Sequence, residues 1–397
     1  MESSTNHSAS IRVTVAVALL GLSGAWNAGN VGPVASEIAR EFDVSLAVVG
    51  LLAGTFFLGS TVIGLLFAPR IGARIGLVRG LRLSCSMLVV GNLIFAITPL
   101  FIGLAVGRIL PGLAFSLTNA LGAVWARNAG GVRLIGIFGA SIQLGIALAL
   151  LTGSELSDLG VDWRVGFVIS AALAAAAFIS IPGRAQQAAA LHQRSTGFLR
   201  AALRHARVYR LALLFMSIYG VPMILSAWLI EYLAREGDMT KALAGAAAFL
   251  LFGLSAAVRV FGGQLQRRGV PHLILGGALG LSAIGLAALA FDPIAAVAFA
   301  GVVLLALGFG VPYTTALSEA QELYPEAPSE AVALMTLVGL IPPIVAIPIV
   351  GHALDNGNGG LAFGILAAFL VLAMLANLGR TGIPLTGEAE TASAQPN

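Results

Sequence analysis

Three features of this sequence predict an all-α polytopic membrane protein. Hydrophobic residues make up 58% of the 397 and charged residues only 10%, with a mean hydropathy of +0.94. A soluble chain of this length could not hide so much apolar surface in one core. Twelve apolar stretches lie between Ile11 and Leu378. Each has about twenty residues, the length at which a helix crosses a ~30 Å hydrocarbon layer with its backbone polar groups bonded internally. The third feature is that arginines gather in every second gap. The strands of an outer-membrane barrel would be short and alternating, and these stretches are long and unalternating.

The spans are expected at 11–34, 45–67, 81–98, 100–126, 133–154, 163–182, 209–232, 241–262, 272–291, 293–317, 330–353 and 360–379. The first starts close to Met1, and no small-residue cleavage site follows a short apolar core. It therefore reads as a retained helix and not as a signal peptide.

Basic loops fix the orientation, because short cytoplasmic loops collect Lys and Arg. One set of gaps and ends holds Arg12, Arg70, Arg74, Arg79, Arg82, Arg127, Arg133, Arg184, Arg194, Arg200, Arg204, Arg207, Arg210, Arg267, Arg268 and Arg380. The other set holds only Arg40, Arg164, Arg235 and Lys241. Both termini are therefore expected in the cytoplasm. The net charge of +4 expresses this bias. It does not point to nucleic acid, since no soluble domain or basic-aromatic surface is present to carry such a partner. Cys85, the single cysteine, excludes a disulfide framework and a multi-cysteine metal site, and reads as a small packing residue. The 49 glycines serve close helix approach.

Residues Pro182 to Val208 form the longest polar stretch, with six spans before and six after. This divides the chain into a six-helix bundle at 1–182, a basic cytoplasmic linker at 183–208, a second bundle at 209–380 and a disordered tail at 381–397. Such a plan is that of a transporter whose halves are related by an axis along the membrane normal. The halves also echo each other. After the second span comes Gly64-Leu-Leu-Phe-Ala-Pro-Arg70-Ile-Gly72-Ala-Arg74, and after the eighth Gly262-Gly263-Gln-Leu265-Gln-Arg267-Arg268-Gly269.

With these loops the chain resembles the major facilitator superfamily over nearly its whole length. That family carries G-x-L-x-D-R-x-G-R-R between its second and third helices and a decayed copy between the eighth and ninth. Here Ala68 and Pro69 stand where the aspartate would be. Leu104-Ala-Val-Gly-Arg108-Ile-Leu-Pro-Gly112 resembles the family's fourth-helix motif, Asp162-Trp163-Arg164 its common start of the sixth helix, and Trp228-Leu-Ile-Glu-Tyr-Leu the end of its seventh. The resemblance implies two pseudo-symmetric six-helix bundles working by alternating access in a bacterial cytoplasmic membrane. It assigns Gly64, Arg70, Gly72, Arg74, Gly263, Arg267 and Arg268 to conformational loops. It also implies a monomer that needs no cofactor, metal or nucleotide.

Ionisable groups inside a bilayer are costly and so are functional candidates by default. The span interiors offer Arg108 and Arg259 and no clearly central Asp, Glu or Lys; Glu231 and Glu319 sit at span ends, where a solvated role is expected. A positive core suits an anion, because the planar guanidinium forks onto carboxylates and oxyanions. Arg259-x-x-Gly-Gly-x-Leu resembles the eighth helix of the nitrate and oxalate type of facilitator, where an arginine meets the anion. The second-helix arginine of the nitrate carriers is absent, with Val62 nearest, and nitrate itself is disfavoured. Arg108 competes between a structural role on the first two helices and a direct substrate role. Among uncharged residues, Asn27 and Asn30, Asn119, Gln143, Tyr219, Tyr313, Thr314 and Thr315 are expected to line a cavity or to bond helices together. Pro222, Pro342, Pro343 and Pro348 permit helix bends.

The first functional expectation is a permease for a small anion. The alternative is a drug or metabolite exporter of the same fold, although Gly139-Ala-Ser-Ile-Gln-Leu-Gly145 lacks the proline of the antiporter fifth helix. A membrane enzyme or receptor is a distant third, and the chain is not expected to be an enzyme. Its five histidines, His7, His192, His205, His272 and His352, do not cluster with acids, and no Walker sequence accompanies the single Lys241.

Overall fold

The computed structural model describes residues 11–63, 71, 74–182, 206–268, 271–323 and 328–378, and among them every regular element is helical. Among these residues ten helices are long and apolar enough to cross a membrane, and two shorter apolar ones complete the series. They are α1 (Ile11–Glu41), α2 (Leu46–Thr61), α3 (Leu77–Ile97), α4 (Phe101–Gly131), α5 (Arg133–Asp158), α6 (Arg164–Ser180), α7 (Arg207–Glu236), α8 (Lys241–Arg268), α9 (Pro271–Phe291), α10 (Ala295–Glu322), α11 (Pro328–Asp355) and α12 (Gly359–Leu378).

Each helix falls on one expected stretch, with shifted ends. The first runs on to Glu41 because Pro33 seats in a 3-10 turn, Gly32–Val34, after which the α-helix resumes at Ala35. Proline fits there because its missing N–H is one a helix start leaves unpaired. Between α4 and α5 there is no loop. Gly130 and Gly131 break the ladder, and Gly131 adopts φ +60° and ψ −147°, a backbone state that side chains rarely tolerate. In α7 the turn Met216–Gly220 widens to a π-helix just before Pro222, which offers no N–H to continue regular bonding.

Within the first set of helices α1, α3, α4, α5 and α6 pack on one another; within the second, α8 packs on α10, and α9 on α10 and α12. The two bundles meet along α1 with α7, α2 with α11, and α5 with α8. Glycines allow the last two meetings. A Cβ on Gly50 would lie 2.8 Å from the Pro348 Cα, and one on Gly245 would strike the Ser154 Cβ.

Polar ties between the bundles gather at one end, the end that holds the α1–α2, α5–α6, α7–α8 and α11–α12 turns. There the Asp355 carboxylate accepts from the backbone N–H groups of Leu46 and Ala47, both at 3.0 Å. Asp158 does the same for Lys241 and Ala242 at 3.1 and 2.9 Å. Each aspartate closes one helix and caps the first turn of a helix in the other bundle, where unpaired N–H groups and the helix dipole favour an anion. The two clamps are pseudo-symmetric copies. Leu46 and Lys241 are 195 residues apart in sequence, as are Ser36 and Glu231, which hydrogen-bond to each other. Lys241 Nζ adds bonds to both Glu37 oxygens at 2.8 Å and to the Pro33 carbonyl at 3.0 Å. Ser226 donates to the Ala28 carbonyl at 3.1 Å. This is the closed end of the molecule, and the opposite one is the arginine-rich end.

Glu231 departs from its expected solvated role: it is 2% exposed and is bonded by Ser36 and Arg235. Glu319 is likewise buried, at 9% exposure. Gly64, Arg70 and Gly72 lie outside the described residues, as do 183–205 of the expected linker and the expected tail. Arg74 sits at an exposed helical position, and Gly263, Arg267 and Arg268 continue α8.

Candidate functional site

Two groups of polar side chains form inside the helices, one in each bundle. In the first, Arg108 of α4 is 2% exposed. Its guanidinium donates to Asn30 Oδ1 at 2.9 Å and to the Asn27 carbonyl at 2.7 Å, both on α1. Phe56 and Phe95 flank it, with ring centroids 4.9 and 5.9 Å from Cζ. The arginine thus bonds the last full turn of α1, just before Pro33 interrupts that helix. Asn27 is fully buried, and its Nδ2 donates to the Ser23 carbonyl at 3.1 Å. Counting about 1.5 Å per helical residue from Phe101, Arg108 lies about 10 Å from the closed end.

The second group is built by four helices. Arg259 of α8 lies over the Tyr313 ring of α10, with Cζ 4.1 Å from the centroid. Tyr313 meets Tyr219 of α7 at 5.9 Å between centroids, and Tyr219 stacks on Phe215 at 5.6 Å with 10° between planes. The Tyr219 side chain also borders Thr336 of α11. Convergence from four helices means that these groups face the bundle interior and not lipid. Tyr219 sits in the π-turn that Pro222 imposes, so the proline sets its direction. Gly220 follows it and lies against the Gly339 carbonyl of α11, where a Cβ would stand 2.7 Å away. By the same count from Lys241, Arg259 lies about 27 Å from the closed end.

The two arginines differ most in their partners. Among the described residues Arg259 has no carboxylate partner and no hydrogen-bond acceptor; its Nε is buried and unpartnered, as is that of Arg108, so the difference lies in the terminal nitrogens, which only Arg108 has answered. The hydroxyls of Ser255, one turn earlier on α8, and of Thr314, beside Tyr313, are also without partners among the described residues. A cationic fork with free hydroxyls nearby is chemically suited to accept an oxyanion.

The structure therefore brings Arg259, Tyr219 and Tyr313 together, and separately Arg108 with Asn27 and Asn30. Asn119 is half-buried and donates to the Phe115 carbonyl of its own helix at 3.0 Å, and Gln143 is buried on α5; among the described residues neither joins the two groups through a hydrogen bond. Phe215 and Thr336 escaped the sequence reading. Phe215 precedes Tyr219 by one turn, a spacing that could have suggested a stack, while Thr336 carries no signal of its own. The interbundle residues Ser36, Glu37, Asp158 and Asp355 also escaped it, since each sits in what reads as a polar loop.

Twelve helices in two pseudo-symmetric bundles, with polar groups held between the helices, define a polytopic membrane transporter. The family profile of the Major Facilitator Superfamily matches residues 17–347, and the chain belongs to that superfamily. Solved structures share the fold. A bacterial homolog of the human lysosomal transporter Spinster, in an inward-facing and unoccupied conformation, superposes with a TM-score of 0.70 at 18% identity, covering 94% of this chain and 98% of its own. A D-xylose-proton symporter gives 0.72 at 14% identity, covering 92% and 96%. A mutant of the nucleoside transporter NupG gives 0.74 at 13%, covering 92% and 99%. Among curated sequences, a probable plastidic glucose transporter of Arabidopsis thaliana is 27% identical over 42% of this chain and 37% of its own length. NicT, a putative metabolite transport protein of Pseudomonas putida, is 28% identical over 34% and 30%. The chain thus matches about a third of the length of these relatives.

Proposed function

We propose that this chain moves a small anionic solute across the membrane by alternating access, with Arg259 as the group that holds the anion. The observation that carries this reading is the guanidinium itself, which lies inside a helical bundle without a counter-charge among the described residues. An unpaired cation there is costly unless a ligand completes it. Tyr219 and Tyr313 shape the site, and Asn27, Gln143 and Asn119 on the facing bundle complete its polar lining. Arg108 contributes at a distance by fixing the end of α1.

Both termini are assigned to the cytoplasm by the distribution of arginine. The closed end then faces outward and the state is inward-facing, the same conformation in which the Spinster homolog was captured. Transport requires the clamps at Asp158 and Asp355 and the Lys241–Glu37 pair to part while the arginine-rich end closes. The rocking bodies are 1–182 and 209–380, in a single monomer in the cytoplasmic membrane of a bacterium.

The test is a thermal-shift screen of purified protein with anionic, neutral and cationic solutes, beside Arg259→Ala, followed by flux in proteoliposomes with the hits. A ligand stabilises the native state by RT ln(1 + [L]/Kd). Stabilisation by anions alone, lost in a folded Arg259→Ala protein, is the expected result. Equal stabilisation of both proteins by neutral or cationic compounds would overturn the reading and favour a drug or metabolite exporter.

A further inference from the structure

From the arrangement around Arg259 we infer the chemical class of the solute: a planar aromatic or heteroaromatic carboxylate. This deepens the anion reading and rests on it. Three aromatic rings run in series from the guanidinium. Arg259 lies on Tyr313 at 4.1 Å, Tyr313 meets Tyr219 at 5.9 Å, and Tyr219 stacks on Phe215 at 5.6 Å. Only 7% of the chain is aromatic and it has five tyrosines, so two of them beside this arginine is a local concentration. Phe215 stacks against one face of Tyr219 and fixes that ring, so what the pair of tyrosines can offer a ligand is the ring surface turned toward Arg259.

Geometry then selects among anions. A carboxylate held by both arms of a guanidinium lies in the guanidinium plane. In an aryl carboxylate the ring is conjugated with that carboxylate and tends to share its plane. Such a ring extends away from Arg259 alongside the tyrosines, where offset or edge-to-face contacts are favourable. A tetrahedral or small inorganic oxyanion fills the fork but reaches none of the rings. A puckered aliphatic ring of equal charge reaches them without π contact. The unpartnered hydroxyls of Ser255 and Thr314 add donors for a ring nitrogen or a ring hydroxyl, which a heteroaromatic acid would present.

The decisive comparison uses four probes on the full-length purified protein: benzoate, cyclohexanecarboxylate, nitrate and benzamide, with Kd read by titration calorimetry or by thermal shift across a concentration series. Benzoate should bind roughly tenfold more tightly than cyclohexanecarboxylate. Tyr313→Leu should erase that ratio while cyclohexanecarboxylate still binds, and Tyr313→Phe should keep it. Should Tyr313→Leu not fold, the wild-type ratio together with Tyr313→Phe decides. Equal binding of benzoate and cyclohexanecarboxylate, or tighter binding of nitrate, overturns the aromatic assignment and leaves the small-anion reading standing. Benzamide binding as well as benzoate, or no binding of any anion, overturns both.

Discussion

Arg108 and Arg259 are both guanidinium groups inside transmembrane helices, yet their surroundings differ in nearly every respect. Arg108 is sealed by Phe56 and Phe95, answered by Asn30 Oδ1 and the Asn27 carbonyl, and sits near the closed end. Arg259 is half-buried, rests on one tyrosine, lacks an acceptor among the described residues and sits toward the arginine-rich end. The lesson is that a membrane arginine declares its role by what its N–H groups already hold. Where the chain itself supplies the acceptors, the arginine joins helices; where it supplies only a π face, the remaining bonds are left for a ligand.

The largest expected effect comes from removing the arginine whose terminal nitrogens the chain already answers. Arg108→Ala would leave Asn30 Oδ1 and the Asn27 carbonyl unanswered and open a void between α1 and α4, a loss of about 3 kcal/mol. Thermal denaturation would show it as a large fall in Tm, with the Kd for anions unchanged in the protein that survives. A normal Tm would place Arg108 in the ligand site and end the contrast. Arg259→Gln should do the reverse, raising the Kd for an anion about 30-fold, as expected for a charge-assisted bond worth about 2 kcal/mol, while Tm without ligand moves little.

Smaller still are the clamps that make the closed end different from the arginine-rich one. Asp158→Asn and Asp355→Asn each weaken a helix cap by about 0.5–1 kcal/mol. Each should shift the population toward a state open at the present closed end, and the double variant should shift it further. Labelling of cysteines introduced at Ser226 and Ala28 would report this as faster alkylation; unchanged rates would mean the clamps do not set the balance. The least effect is expected from Asn119→Ala, whose side chain donates to the Phe115 carbonyl of its own helix. A change in Kd there beyond about twofold would make Asn119 a direct partner of the anion instead of part of the outer lining.

Much of the architecture was legible in the sequence because a bilayer acts residue by residue. Each span must be apolar over its own length, whatever the rest of the chain does. The twelve stretches and their division into two sixes follow from that local condition, as does the choice of Arg108 and Arg259 as the residues to watch. Helix ends were less legible. Pro33 could be read as a stop, and only the packed structure shows that the helix resumes as far as Glu41. Glu231 and Glu319 looked solvated because they sit at span ends, whereas Ser36, 195 residues from Glu231, donates to its carboxylate.

By itself, then, the sequence determined the membrane class, the span count and the residue types available for an anion. Tertiary structure alone decided which arginine the chain itself supplies with acceptors, since Asn30 lies 78 residues from Arg108. It also decided that Tyr219, Arg259 and Tyr313, brought by α7, α8 and α10, meet around one point. It alone made two loop aspartates into paired clamps across the bundles. The physical reason is that hydropathy is a property of one segment, while a hydrogen bond or a ring contact needs two, and their meeting is fixed only when the helices pack.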